Sequence, residues 1–457
     1  MGIFNVCKYG AVGDGKTLNT KAIQNTIDEC ARSGGGTVYF PAGEFVCSTL
    51  FLRDNVSVRI DKEARVLGSL NFQDYQPDEK VEYPLYQDAS HSFFHCSMFV
   101  GENCKNISIF GGGCIDMRSV WDEENVRDMA HRGAKCIALK CCENVRIENI
   151  GVFNATDLAI YFAGCKNVEI SRIEMRVYID GISPDNSENV RIEDCEIETG
   201  DDGIVLKSSY TLNRLGVCKN ITVKNCKIKS RCNGFKIGTE TNGGFENIVA
   251  DGLEIYETRL AGIALETVDG AIIDGLTIRN VKMKNVYAPL YMTIGDRLRG
   301  PEGTRVGAIK NVLLENITAE GPYEPYEVIA WNYSVFKTEG AMSLQEPWRV
   351  GKRASQMTKE DVWQTTSNVC GHKESPIKNL CLRNINLVLD GGAGEYITEV
   401  PEEKTNYPEV YVLGKALPAK GIYFRRIDGL TLDNVTVATY RPDSREELIL
   451  DKVKKQR

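Results

Sequence analysis

The chain has 457 residues, 42% of them apolar, with 42 glycines and only 14 prolines, a composition that excludes a disordered polypeptide. Its 55 basic and 63 acidic residues give a formal charge of −8, and without a dense basic tract this counts against a nucleic-acid binder. No segment approaches the roughly 18 consecutive apolar residues of a membrane-spanning helix.

At the N-terminus, MGIFNVCKYG shows no basic region followed by an apolar run. No secretory signal is read there, and a cytoplasmic protein is expected. Most of the 16 cysteines sit in apolar strand contexts, and no CxxC or Cys/His zinc spacing occurs. They are expected to be reduced and buried. His91 and His95 are four apart but lack an HExxH frame, so no metal site is assigned. Thr17 to Ser33 carries apolar residues at Ala22, Ile23, Ile27 and Ala31, the stripe of an amphipathic helix. Gly34, Gly35 and Gly36 stop it before the strand TVYF. The helix is expected to cap the open end of a solenoid.

Beyond the first hundred residues the chain repeats. The unit Cys/Ser-x-Asn-Val/Ile-x-Ile appears as CKNISI, CENVRI, CKNVEI, SENVRI and CKNITV, and continues as FENIVA, IKNVLL and IKNLCL. Its asparagines are Asn106, Asn144, Asn167, Asn189, Asn220, Asn247, Asn311 and Asn379. Units this short cannot bury their own apolar face and must stack. Each shows β-branched alternation and no helical stripe, with asparagine at a bend. The fold expected is all-β, a single-stranded right-handed parallel β-helix with an N-terminal helical cap. Although 457 residues suggest three domains at about 150 each, the repeat argues for one. Its parts are the cap and first coils (1–100), central coils (101–320), long groove-side loops (321–376), final coils (377–440) and a charged tail (441–457). The 321–376 stretch holds Tyr323, Tyr326, Trp331, Tyr333, Trp348 and Trp363, which either stack on sugar rings or anchor the loops.

A second column runs DLAIYF, DGISP, DGIVLK, NGFKIG, AGIALE, starting at Asp157, Asp180, Asp202, Asn233 and Ala261. Its register puts Asp180 and Asp202 on neighbouring rungs about 4.8 Å apart, with Asp201 beside them. Crowded carboxylates raise at least one pKa, so one acid can hold a proton while its neighbours stay charged. That division is what glycoside hydrolysis needs, an acid for the leaving oxygen and a base for water. The alternative is a calcium-binding or solvent-facing acidic cluster. The register also places Ser183, Val205, Lys236 and Ala264, then Asp185, Lys207, Gly238 and Glu266, on the groove floor. Ile182, Ile204, Phe235 and Ile263 point inward. Lys207 and Lys236 flank the acids, either to hold a uronate or sulfate or to neutralise the aspartates. Arg297 and Arg299, in TIGDRLRG, are placed in a loop lining the same cleft.

At YIDGISPDNSENVRI and TGDDGIVLKS the chain resembles the pectin-degrading glycoside hydrolases of family 28, the polygalacturonase and rhamnogalacturonase group. YGAVGDG and GGGTVYFPAG resemble the opening segment of the same enzymes. The likeness covers residues 1–320 well. The resemblance implies a pectin-lyase-like solenoid and inverting hydrolysis. Asp201 would be the general acid, with Asp180 and Asp202 holding and deprotonating water. It implies an oligosaccharide substrate and no cofactor or metal. Two departures matter. The family's histidine is Asn233, in RCNGFKIG, and its Arg-Ile-Lys is Ala264-Leu265-Glu266. The basic pair that grips a galacturonate carboxylate is missing, which argues against an ordinary polygalacturonase. Either Lys236 supplies a charge from the preceding rung, or the substrate is a neutral sugar or a differently linked pectic oligosaccharide. Asn233 and Glu266 join the lysines and arginines as candidate substrate contacts. Exo action on imported fragments is expected. A polysaccharide lyase or epimerase on this fold, and a non-catalytic glycan-binding β-helix, are the competing readings.

Overall fold

A computed structural model describes residues 2–87, 89–119, 133–321, 366–402, 408–410, 413 and 417–455. The chain winds into a right-handed parallel β-helix. Strands pair in parallel with the equivalent strand one coil on, as Lys166–Val177 does with both its neighbours. That coil shows how the winding is made. Lys166–Val177 bends at Asn167 and Arg172, both at positive φ (55° and 53°), and the chain then enters Ile182–Asp185, which pairs with Ile160–Ala163 and Ile204–Ser208. Two left-handed residues and one loop therefore turn each coil through three faces.

Asparagine occupies the first bend because its short polar side chain tolerates the left-handed region and can bond locally. The side chains then form a ladder. Asn106 donates to Asn55, Asn144 to Asn106, Asn167 to Asn144, Asn189 to Asn167, Asn220 to Asn189 and Asn247 to Asn220, at 2.8–3.1 Å. On the next rung Gly275 takes the bend (φ 75°), and Asn311 donates to Asp274 instead. A second, mixed ladder runs along the other bend through Asn149, Arg172, Asp194, Asn225, Gly252, Asn280, Asn316, Asn384 and Asn434.

The interior is an in-register apolar stack. Ile160, Ile182, Ile204, Phe235, Ile263 and Leu290 succeed one another and are all buried. Burial of each such side chain contributes about 1.5–3 kcal/mol. The helix spans Thr20–Arg32, shorter than the apolar stripe predicts, because Asp14–Leu18 is a strand paired with Gly43–Cys47. Its buried face is Ile23, Thr26, Ile27 and Cys30, and its Ala22 and Ala31 pack at the margin of the core. All 16 cysteines are unpaired and 12 are buried.

Two expectations about the chain's later parts change. The aromatic residues between Tyr323 and Trp363 lie outside the described residues, but Ser367–Cys370, within the same stretch, is a strand paired with Ile272–Ile294 and Ala419–Arg441. The charged segment at the C-terminus is not a peripheral tail. Glu446–Lys455 is the last described strand, in parallel register with Ala419–Arg441.

Candidate active site

The file of acids is set by the coil register. Ile182 pairs with Ile204, Ile204 with Phe235 and Phe235 with Ile263, so Asp180, Asp202, Asn233 and Ala261 stand one above another. The side chains reinforce the file. Asp180 Oδ1 accepts from the Asp202 amide (3.3 Å), Asp202 Oδ1 from the Asn233 amide (3.1 Å), and Asn233 Oδ1 from the Ala261 amide (3.0 Å). Asn233 Nδ2 also donates to Asp202 Oδ1 at 2.8 Å. Asn233 thus both donates and accepts, which an amide can do and a carboxylate cannot. The glycines that come after each file residue are required by the stacking. A Cβ on Gly181 would lie 2.5 Å from the Gly203 carbonyl oxygen, and one on Gly203 2.6 Å from that of Gly234.

The expected start of the file is corrected. Asp157 is one residue out of register, and Leu158 stands level with Asp180 because Ile160 pairs with Ile182. The preceding strand pairs Phe153 with Arg176, a spacing of 23 rather than 22, so one extra residue is absorbed between Phe153 and Ile160. Asp157 is buried instead against Lys135 (3.3 Å) and Ser90 (2.8 Å). A further shift comes after Leu206. Ser208 pairs with Thr241, so Gly238, Thr239 and Glu240 bulge out and Gly238 is not level with Lys207. Gly238 sits at φ 115°, and its Cβ position lies 3.0 Å from the Glu266 Cβ.

Asp180, Asp201, Asp202, Lys207, Lys236 and Glu240 line one small cavity with Ser90, His91, Leu158 and Thr239. The space open to water within it is about 30 Å³. Asp201 and Asp202 each place a carboxylate oxygen within 4.8 Å of the other's. Lys207 Nζ lies 2.9 Å from Glu240 and 3.4 Å from Asp180. Lys236 Nζ lies 3.2 Å from Asp202, 3.6 Å from Glu266 and 3.7 Å from Glu409. All of these side chains are buried.

Such burial divides the charges. Burial pushes Lys207 down, but Glu240 and Asp180 outweigh it and hold its ammonium above the usual range. Burial would raise Glu240, but Lys207, His91 and Arg297 hold it well below. Glu266 and Glu409 go the other way. Burial, opposed by Lys236, pushes Glu266 well above the carboxylate range and Glu409 up to about 7.

Among the sequence candidates, the cavity unites the three aspartates with Lys207 and Lys236. Asn233 is one rung on, against Asp202. Glu266 is fully buried behind Lys236. Arg297 is tied to Asp269 (2.9 Å) and donates to the Thr239 carbonyl (2.9 Å), so it supports the bulge rather than lining the cavity. Arg299 is exposed, and its backbone, not its guanidinium, makes the described contacts, to Asp269 and Asn242. Three residues of the site are not apparent from sequence. Glu240 is hidden because the bulge breaks the column. His91, 3.8 Å from Glu240, and Glu409 come from outside the coils that carry the acids. No local pattern marks either.

Comparison with known proteins agrees with this architecture. The model of glycosyl hydrolases family 28 matches residues 30–329. A probable polygalacturonase of Vitis vinifera is 26% identical over 305 residues, covering 62% of this chain and 61% of the relative. An exo-poly-alpha-D-galacturonosidase of Dickeya chrysanthemi is 24% identical over 337 residues, covering 62% of this chain and 55% of the relative. The chain therefore spans about three fifths of the length of these relatives. The solved structure of a Yersinia enterocolitica family 28 exopolygalacturonase superimposes with a TM-score of 0.71 at 20% identity, over 99% of this chain and 77% of that one.

Proposed function

The chain belongs to family 28 of the glycosyl hydrolases, and from that membership we propose that it hydrolyses a glycosidic bond of a pectic oligosaccharide with inversion at the anomeric carbon. The observation that carries this is the convergence of Asp180, Asp201 and Asp202 on one cavity. An inverting enzyme needs a general acid at the leaving oxygen and a carboxylate base that activates water on the opposite face of the ring, usually about 6.5–9.5 Å apart; Asp201 and Asp202 bring oxygens within 4.8 Å of each other, so inversion rests on the family membership and not on their spacing.

Asp201 donates the proton to the departing oxygen. Asp180 and Asp202, stacked on adjacent rungs, hold the water and take its proton as it attacks. The bond from the anomeric carbon to the water oxygen forms as the glycosidic bond breaks, and the electron pair of that bond leaves on the oxygen that Asp201 protonates. Each base faces an ammonium, Lys207 at 3.4 Å from Asp180 and Lys236 at 3.2 Å from Asp202. Elimination, the lyase alternative, requires a base that accepts a proton beside a uronate carboxylate. Lys207 is held protonated by Glu240 and Asp180 and is unsuited to that role. Release from a chain end follows the Dickeya relative, named as exo-acting, although Pectobacterium relatives are named endo-polygalacturonases.

The test is the first-formed product of pectic oligosaccharides of galacturonide and rhamnogalacturonan type, monitored by proton NMR. The freed reducing end should appear with the configuration opposite to the bond cleaved. Retained configuration contradicts the mechanism, and an unsaturated product would establish a lyase.

A further inference from the structure

Resting on the hydrolase reading above, we infer that the sugar ring accommodated at the cleavage point is neutral, so that the enzyme removes an uncharged unit from a pectic chain instead of a galacturonate. The two lysines that line the cavity are already matched. Lys207 is shared by Asp180 and Glu240, and Lys236 by Asp202, Glu266 and Glu409, so five carboxylates surround two ammoniums at 2.9–3.7 Å. Arg297 is bound through two nitrogens to Asp269 and bonds the Thr239 carbonyl.

A carboxylate is recognised by cations or by convergent donors whose charge is not already spent on other anions. Here a uronate would enter as a further negative charge. The site already contains more carboxyl groups than it can ionise, since burial holds Glu266 and Glu409 above the ordinary range. Neither Glu266 oxygen has a hydrogen-bond partner among the described residues, although the side chain is fully buried. At the two positions where a basic pair is expected stand Ala264 and Glu266, both buried, so neither position supplies a cation. Hydroxyl groups suit this environment. They donate to carboxylates, accept from ammonium groups and add no charge.

The experiment uses the full chain and matched oligosaccharides that differ only in the terminal ring: galacturonate, its methyl ester, galactose and rhamnose. The methyl ester keeps the ring and removes the charge. Initial rates of terminal-sugar release give kcat/KM for each, and calorimetric titration of the Asp201→Asn protein gives binding without turnover. At least one neutral ring should be released about tenfold or more faster than galacturonate. Galacturonate released fastest overturns the neutral-ring inference and leaves the hydrolase reading standing. No cleavage of any chain, with a neutral ring still bound in preference to galacturonate, removes the hydrolase reading and supports the neutral subsite. No cleavage together with equal or stronger binding of galacturonate removes both.

Discussion

Lys236 illustrates how one residue sets the balance of the site. Its ammonium is shared among Asp202, Glu266 and Glu409, and this leaves Glu409 with a pKa raised from 4.5 to about 7, burial being the main cause. The raised value has a consequence for stability. Below about pH 4.5 the carboxyl is protonated in both folded and unfolded chains, and it makes no pH-dependent difference. As pH rises towards 7 the unfolded chain releases the proton first, so stability falls, and above about 7 the loss is complete. Glu409→Gln keeps the shape and the hydrogen-bonding edge that faces Asn233 but cannot ionise. Relative to this variant, the wild type should lose stability of the order of 3 kcal/mol between pH 4.5 and 8. Denaturant unfolding of both proteins at pH 5 and pH 8 measures the difference. Parallel pH dependences would show that Glu409 is ionised throughout. This residue is invisible in the sequence because it lies far along the chain from the coil it covers. Asp180, Asp201 and Asp202 are legible because repeat spacing alone places them.

Among the elements, the asparagine ladder carries the regularity that makes the fold readable. Asn189 sits at φ 56°, donates to Asn167 and accepts from Asn220. Asn189→Ala should cost about 2–3 kcal/mol, from two exposed hydrogen bonds and the left-handed penalty of about 1–2 kcal/mol. Asn189→Gly loses the same bonds without that penalty and should be the more stable variant by about 1 kcal/mol. Urea midpoints of the two proteins compare them directly, and an alanine variant as stable as the glycine one would show that the bend is not conformationally demanding. The second ladder is concealed in the sequence because Asn149, Arg172, Asp194, Asn225 and Gly252 share a backbone conformation but not a residue type. Insertions are equally hard to see. The residue absorbed before Ile160 shifts Asp157 out of the file, and the bulge at Gly238–Glu240 carries an acid into the cavity. Each changes register without changing the alternation on which a reading of the strands rests.

At the scale of the molecule, the solenoid is a scaffold that holds side chains from distant positions at fixed heights along one face. A terminal helix closes one end, and a charged last strand forms the other described end. The sequence carries this architecture because stacking repeats must share a period, whereas His91 and Glu409 approach the site from outside the repeat. The central claim is that this scaffold brings Asp201 as acid and Asp180 with Asp202 as base onto one glycosidic bond. Its most direct test is a pair of rate ratios, for Asp201→Asn and Asp180→Asn, on a natural oligosaccharide and on the corresponding nitrophenyl glycoside. Loss of a general acid typically costs roughly 10²–10⁴-fold, and nitrophenolate departs with little protonation. The Asp201→Asn defect should therefore shrink to about tenfold or less on the activated substrate, while that of Asp180→Asn stays large on both. Selective rescue of Asp180→Asn instead would exchange the two roles, and full activity of both variants on the natural oligosaccharide would contradict the account.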